Sequence, residues 1–201
     1  MSEGTFSSRE NPRFEPCFPS LGAVRARRDF AGSRAWLHPE EARLARDLAL
    51  GPIRLDEWCW GRAAAHALLP EGAWLGRDDE GAPVVHGAAT RVTLSHTRRW
   101  VAAAAGACVG IDICDLADAA RVRRVLVRFG GEDVALLDGH GDLDWVGFWA
   151  IKEAAAKALG IGLFDGGLKA SRITSWSPLH VDGMSVALED WGDAAAAVAW
   201  R

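Results

Sequence analysis

Apolar residues recur along the chain at two spacings, and each spacing predicts its own elements. Residues 39–50 (PEEARLARDLAL) open with a proline and two acids and then carry Ala42, Leu44, Ala45 and Leu48, the pattern of a helix start and body. Gly51-Pro52 stops it, and residues 54–69 (RLDEWCWGRAAAHALL) predict a second helix closed by Pro70. Glycines and a proline across 76–87 mark turns around a short extended piece. Residues 93–96 (TLSH) and 100–113 (WVAAAAGACVGIDI) alternate or run apolar with β-branched residues, which predicts strands. Residues 116–129 place Val122, Val125, Leu126 and Phe129 at helical spacing before a Gly-Gly break. A short helix is expected over 132–138 and a strong one over 145–159 (WVGFWAIKEAAAKAL), ended by Gly160. The tail segments SRITSW, MSVALED and AAAAVAW read as strands of an antiparallel meander, and residues 1–20 as a polar lead-in. Each half thus supplies helices followed by strands. The expectation is an α+β chain of two similar halves, 21–108 and 109–201, each with helices packed on a mainly antiparallel sheet (a pseudo-dimer within one chain).

Composition narrows the function classes. No run approaches the ~18 consecutive apolar residues that a membrane span needs, and the first residues (MSEGTFSSRENPRFEP) lack the apolar core of a secretory signal. The four cysteines, Cys17, Cys59, Cys108 and Cys114, form no C-x-x-C pair and no cluster with histidine, which argues against structural zinc. Free thiols in such a chain are expected in a reducing cytoplasm. The net charge of −4 gives no electrostatic support for nucleic-acid binding. The charge is uneven: residues 1–100 hold 14 Arg against 13 acids, and residues 101–201 hold 9 basic groups against 14 acids. Of the 23 cations only three are lysines: Lys152, Lys157 and Lys169. Two of them lie five residues apart in one predicted helix, where a compact ammonium and a guanidinium fork are not interchangeable.

Three segments carry candidate chemistry. On the 145–159 helix, Trp149, Glu153 and Lys157 are four residues apart and share one face. That spacing is equally that of an ordinary Glu–Lys pair on a solvated face. In VGIDICD (109–115), Val109, Ile111 and Ile113 face one way and Gly110, Asp112 and Cys114 the other. Asp is a poor strand former, so Asp112 either meets a cation or caps a strand end. In Thr93-Leu94-Ser95-His96-Thr97, the Ser and His point to opposite faces, and no G-x-S-x-G elbow is present, which disfavours a serine hydrolase. Ser95 and His96, followed by Arg98-Arg99, offer donors to phosphate oxygens, or else form a satisfied polar strand end.

Taken in order, SHT at 95–97, VGID at 109–112 and W-x-x-KE-A-x-x-K at 149–157 resemble the signature of the 4′-phosphopantetheinyl transferases. The type resembled is the longer, pseudo-dimeric one that serves carrier proteins of secondary metabolism or siderophore synthesis. Trp58 to Ala64 (WCWGRAA) resembles that family's first-half helix, and Gly160-Ile161-Gly162-Leu163 its glycine turn, so the likeness runs from about residue 39 to residue 163. The resemblance implies transfer of the phosphopantetheine arm of coenzyme A, the co-substrate, to a serine of an apo acyl or peptidyl carrier protein, with release of 3′,5′-ADP. It implies a monomeric enzyme. It also implies that Asp112 and Glu153 hold Mg²⁺ (or Mn²⁺), that Glu153 or a water it orients takes the serine proton, and that Lys157 meets the pyrophosphate. Arg62, Ser95 and His96 would bind coenzyme A phosphates, aided by one or more of Arg43, Arg46 and Arg54.

The chain departs from that pattern twice. Many relatives carry a second carboxylate two residues after the Asp, where this chain has Cys114, a soft ligand ill suited to Mg²⁺. Asp115 is adjacent, but strand alternation turns it away unless the strand ends there. Some relatives also have a lysine in place of Ala82 in Gly81-Ala82-Pro83. Two further readings follow: a degenerate relative that binds coenzyme A or a carrier protein without catalysis, and a plain interaction domain.

Overall fold

The computed structural model describes residues 14–18, 22–27 and 37–201, so most of the polar lead-in expected over 1–20 lies outside the described residues. The part that is described includes β1 (Glu15–Cys17), which pairs antiparallel with β2 (Ala23–Arg27). Helix α1 (Pro39–Asp47) begins at a capping box in which the His38 ring accepts from the Glu40 amide and Glu41 accepts from the His38 amide. It ends three residues before the sequence pattern does, because Ala49 takes a positive φ of 48° ahead of Gly51-Pro52. Helix α2 (Pro52–His66) has Pro52 in its first turn, where a missing N–H costs nothing. The turn-rich 76–87 stretch holds a hairpin of two strands, β3 (Trp74–Arg77) and β4 (Pro83–His86).

Strands β5 (Arg91–His96) and β6 (Trp100–Gly106) complete a first antiparallel sheet in the order β1-β2-β6-β5. The single apolar run 100–113 is thus two strands, β6 and β7 (Val109–Asp115), divided by a turn at Ala107-Cys108. A 3₁₀ turn (Leu116–Asp118) leads into α3 (Ala119–Phe129), and a second (Glu132–Leu137) replaces the short helix expected there. Helix α4 (Asp142–Leu159) starts one turn earlier than the pattern requires and stops at Gly160, whose φ of 69° suits a residue without Cβ. A wide turn (Leu163–Gly167) and the single-turn α5 (Leu168–Ala170) precede the small pair β8 (Ile173–Ser175) and β9 (His180–Val181). The last strands, β10 (Ser185–Asp190) and β11 (Ala194–Trp200), join β7 in a second antiparallel sheet, β10-β11-β7.

The fold is therefore α+β, with mixed helix and antiparallel sheet. Strand alternation decides the layers. In β11, Ala195, Ala197 and Ala199 pack under α4 with Phe148, Ile151 and Ala155, while Ala194, Ala196 and Val198 face the other way. That second face joins Ile111, Ile113, Ala102, Ala104 and Trp100 in one apolar cluster between the two sheets. On the outer side of β6, Val101 and Ala103 pack against Trp60 and Ala64 of α2. A strand written almost wholly in alanine is stable here because both faces are covered at close range. Gly110 shows how close: a Cβ at that position would lie 1.9 Å from the Ala154 carbonyl oxygen of α4.

Candidate functional site

Strands β5 and β7 lie side by side with no ladder of backbone bonds between them. Two hydroxyls of β5 bridge the seam instead. Thr93 Oγ1 accepts from the Ile111 amide at 3.2 Å, and Ser95 Oγ accepts from the Ile113 amide at 3.0 Å. Since 93 meets 111 and 95 meets 113, the strands run in the same direction. The seam opens into a cavity of about 730 Å³, lined by Ser95, His96, Asp112, Cys114, Asp115, Trp149, Glu153 and Lys157 among others. Three segments that are far apart in sequence thus deliver their polar residues to one place.

Asp112 is buried and is held by two donors: Ser95 Oγ gives its proton to Oδ1 at 2.8 Å, and Lys157 Nζ donates to the same oxygen at 2.6 Å. Burial raises the Asp112 carboxyl; Lys157 opposes this, the nearby Glu153 charge adds to it, and the result is a pKa pushed up to about 6. Lys157 spends its other two N–H groups on the carbonyls of Leu94 (3.2 Å) and Ile111 (3.1 Å), and Glu153 Oε1 lies 3.7 Å from its nitrogen. Burial works against its charge, but the Asp112 and Glu153 carboxylates outweigh it and hold the ammonium pKa above the ordinary lysine value. Glu153 is 29% exposed, open to the cavity on the face it shares with Trp149.

Arg62 is not brought to this cavity. It is buried in α2 with its guanidinium over the Trp58 ring, 3.2 Å from the centroid, and burial lowers its pKa to about 10. Of the three other arginines, Arg43 pairs with Glu40 and Asp47, and Arg54 with Glu57; none of Arg43, Arg46 and Arg54 lines the cavity. Lys152, the neighbour of Glu153 in sequence, is not brought to the cavity either. It turns inward, where its ammonium bonds to Asp133 and to the carbonyls of Leu168 (3.0 Å) and Ser171 (2.7 Å). One residue of helical rotation separates it from Glu153, enough to send the two side chains to different faces.

Glu57 of α2 and Arg121 of α3 also line the cavity, although neither stands out in the sequence. Glu57 Oε1 lies 4.0 Å from His96 Nδ1, and only the fold brings residues 39 apart into that pairing. Asp115 is the last residue of β7 and does reach the cavity wall, with a buried Oδ1 that has no hydrogen-bond partner among the described residues.

Among the described residues no group of three His, Cys, Asp or Glu side chains is spaced to hold a metal ion. Cys114 is no substitute, because burial raises its thiol pKa and keeps it protonated. Asp112 and Glu153 remain as two hard oxygen donors in mutual repulsion, a pair suited to a cation that keeps several waters. Compared with known proteins, the chain matches no family model and no curated protein.

Proposed function

We propose that the protein is a Mg²⁺-dependent 4′-phosphopantetheinyl transferase that moves the phosphopantetheine arm of coenzyme A to a serine of an apo acyl or peptidyl carrier protein. The observation that carries the reading is the convergence of Ser95-His96, Asp112 and the Glu153/Lys157 face on one cavity. In the same reading the chain is a cytoplasmic monomer built as two halves. One half is the first sheet with α2, the other the second sheet with α4, and the β5–β7 seam between them is the active-site cleft.

The reaction joins the serine oxygen to one phosphorus of the pyrophosphate, breaks that phosphorus–oxygen bond to 3′,5′-ADP, and releases one proton. Glu153 is the group placed to take it, being a partly exposed carboxylate at the cavity surface. Mg²⁺, held by Asp112 and Glu153, would neutralise the pyrophosphate charge. Asp112 is fixed for that duty by Ser95 and Lys157, which leaves Oδ2 without a hydrogen bond among the described residues. Lys157 gives its three N–H groups to the protein, so it acts on the pyrophosphate through its charge rather than as a direct donor. His96, Arg98 and Arg121 supply phosphate contacts at the rim, since they share the cavity wall, whereas Arg99 is paired with Asp193.

The test is a transfer assay with Glu153→Gln, which keeps the shape and removes the base. A carrier incubated with coenzyme A, Mg²⁺ and this variant is expected to stay unmodified by mass. Unchanged transfer would remove Glu153 from the role.

A further inference from the structure

The Lys157 ammonium is surrounded by oxygens beside the carboxylate pair. Around its nitrogen are four oxygens: the carbonyls of Leu94 and Ile111, Oδ1 of Asp112, and, at 3.7 Å, Oε1 of Glu153. This all-oxygen nest, drawn from two strands and a helix, is the type of donor set preferred by hard cations. The ammonium is covalently fixed to α4, so the carboxylate pair holds a compensating charge before any ion arrives. The other helix lysine does not share this duty, since Lys152 is committed to Asp133.

We propose, resting on the transferase reading above, that Lys157 is an internal counter-ion that keeps Asp112 and Glu153 from holding a divalent cation tightly in the free protein. The cation is then taken up together with its pyrophosphate-bearing co-substrate. A metal ion arriving alone meets two negative carboxylates and one positive ammonium a few ångströms away. An ion arriving with a pyrophosphate brings negative charge that the same ammonium attracts. Lys157 is in this sense a positioning residue for metal uptake, and its effect is read in metal affinity, independently of turnover.

The experiment titrates the full chain with Mn²⁺ and follows free Mn²⁺ by electron paramagnetic resonance, with and without coenzyme A, for wild type, Lys157→Gln and Lys157→Arg. Wild type is expected to bind Mn²⁺ at least about tenfold more tightly with coenzyme A than without it, a difference of about 1.4 kcal/mol. Lys157→Gln, which removes the charge, is expected to bind Mn²⁺ alone at least about tenfold more tightly than wild type, and Lys157→Arg is not. A folded Lys157→Gln whose Mn²⁺ affinity equals or falls below that of wild type overturns the inference and leaves the transferase reading standing. If that variant does not fold, wild type decides: equal Mn²⁺ affinity with and without coenzyme A overturns it. Absence of Mn²⁺ binding under every condition removes the metal site and the transferase reading with it.

Discussion

Asp112 and Cys114 occupy the same face of one strand and meet opposite fates. Asp112 is buried yet charge-compensated by Lys157 and hydrogen-bonded by Ser95; Cys114 is buried among apolar neighbours, and its thiol is pushed well above the ordinary cysteine range. The first offers a hard oxygen donor and the second a protonated, soft one. On the transferase reading Asp112→Ala is therefore expected to abolish transfer, as measured by the rate at which a carrier gains mass. Cys114→Ala should change the same rate only slightly; a well-folded but inactive Cys114→Ala would place the thiol in the metal shell. The skew toward arginine acquires a meaning at this scale too. At Lys157 a single nitrogen reaches three oxygens at once, so Lys157→Arg would keep the charge but not that donor geometry.

At the scale of elements, two contacts decide how helices meet strands. Gly110 lets α4 lie on β7 at a distance that no Cβ tolerates, because the atom it would strike belongs to the helix backbone. Gly110→Ala should destabilise the protein at or beyond the upper end of the ~1–3 kcal/mol typical of overpacking, seen as a lower denaturant midpoint. The second contact is Glu41, fully buried in α1 and accepting from His66 Nε2 of α2, the Leu75 amide of β3 and the His38 amide. Burial alone would raise its pKa, but those donors outweigh it and hold the carboxyl below the usual glutamate value. A lowered folded pKa adds stability above the unfolded value of about 4.3 and loses it as pH falls through the folded value. Glu41→Gln is thus expected to lower stability at neutral pH by about 1.5–3 kcal/mol. In melts compared at neutral and strongly acidic pH, that deficit should shrink in acid; a deficit of equal size at both would rule out an ionised Glu41.

For the molecule as a whole, the legible features were those with a short period. The face shared by Trp149, Glu153 and Lys157 and the alternation of Gly110, Asp112 and Cys114 follow from helix and strand geometry, and all six line the site or pack against α4 as those periods require. The hairpin of β3 and β4 was visible only as turns around one extended piece, since four-residue strands carry too few alternations to be distinguished. The hydroxyl bridges of Thr93 and Ser95, the pairing of Lys152 with Asp133, and the arrival of Glu57 opposite His96 depend on contacts across long stretches of chain, for which local spacing holds no signal. The proposed transfer of a phosphopantetheine arm is read out by incubating the wild-type protein with coenzyme A, Mg²⁺ and each of several apo carrier proteins and weighing the carriers. At least one carrier is expected to gain the mass of a single phosphopantetheine arm, and the gain is expected to require Mg²⁺. Carriers that all keep their apo mass would contradict the proposed transfer.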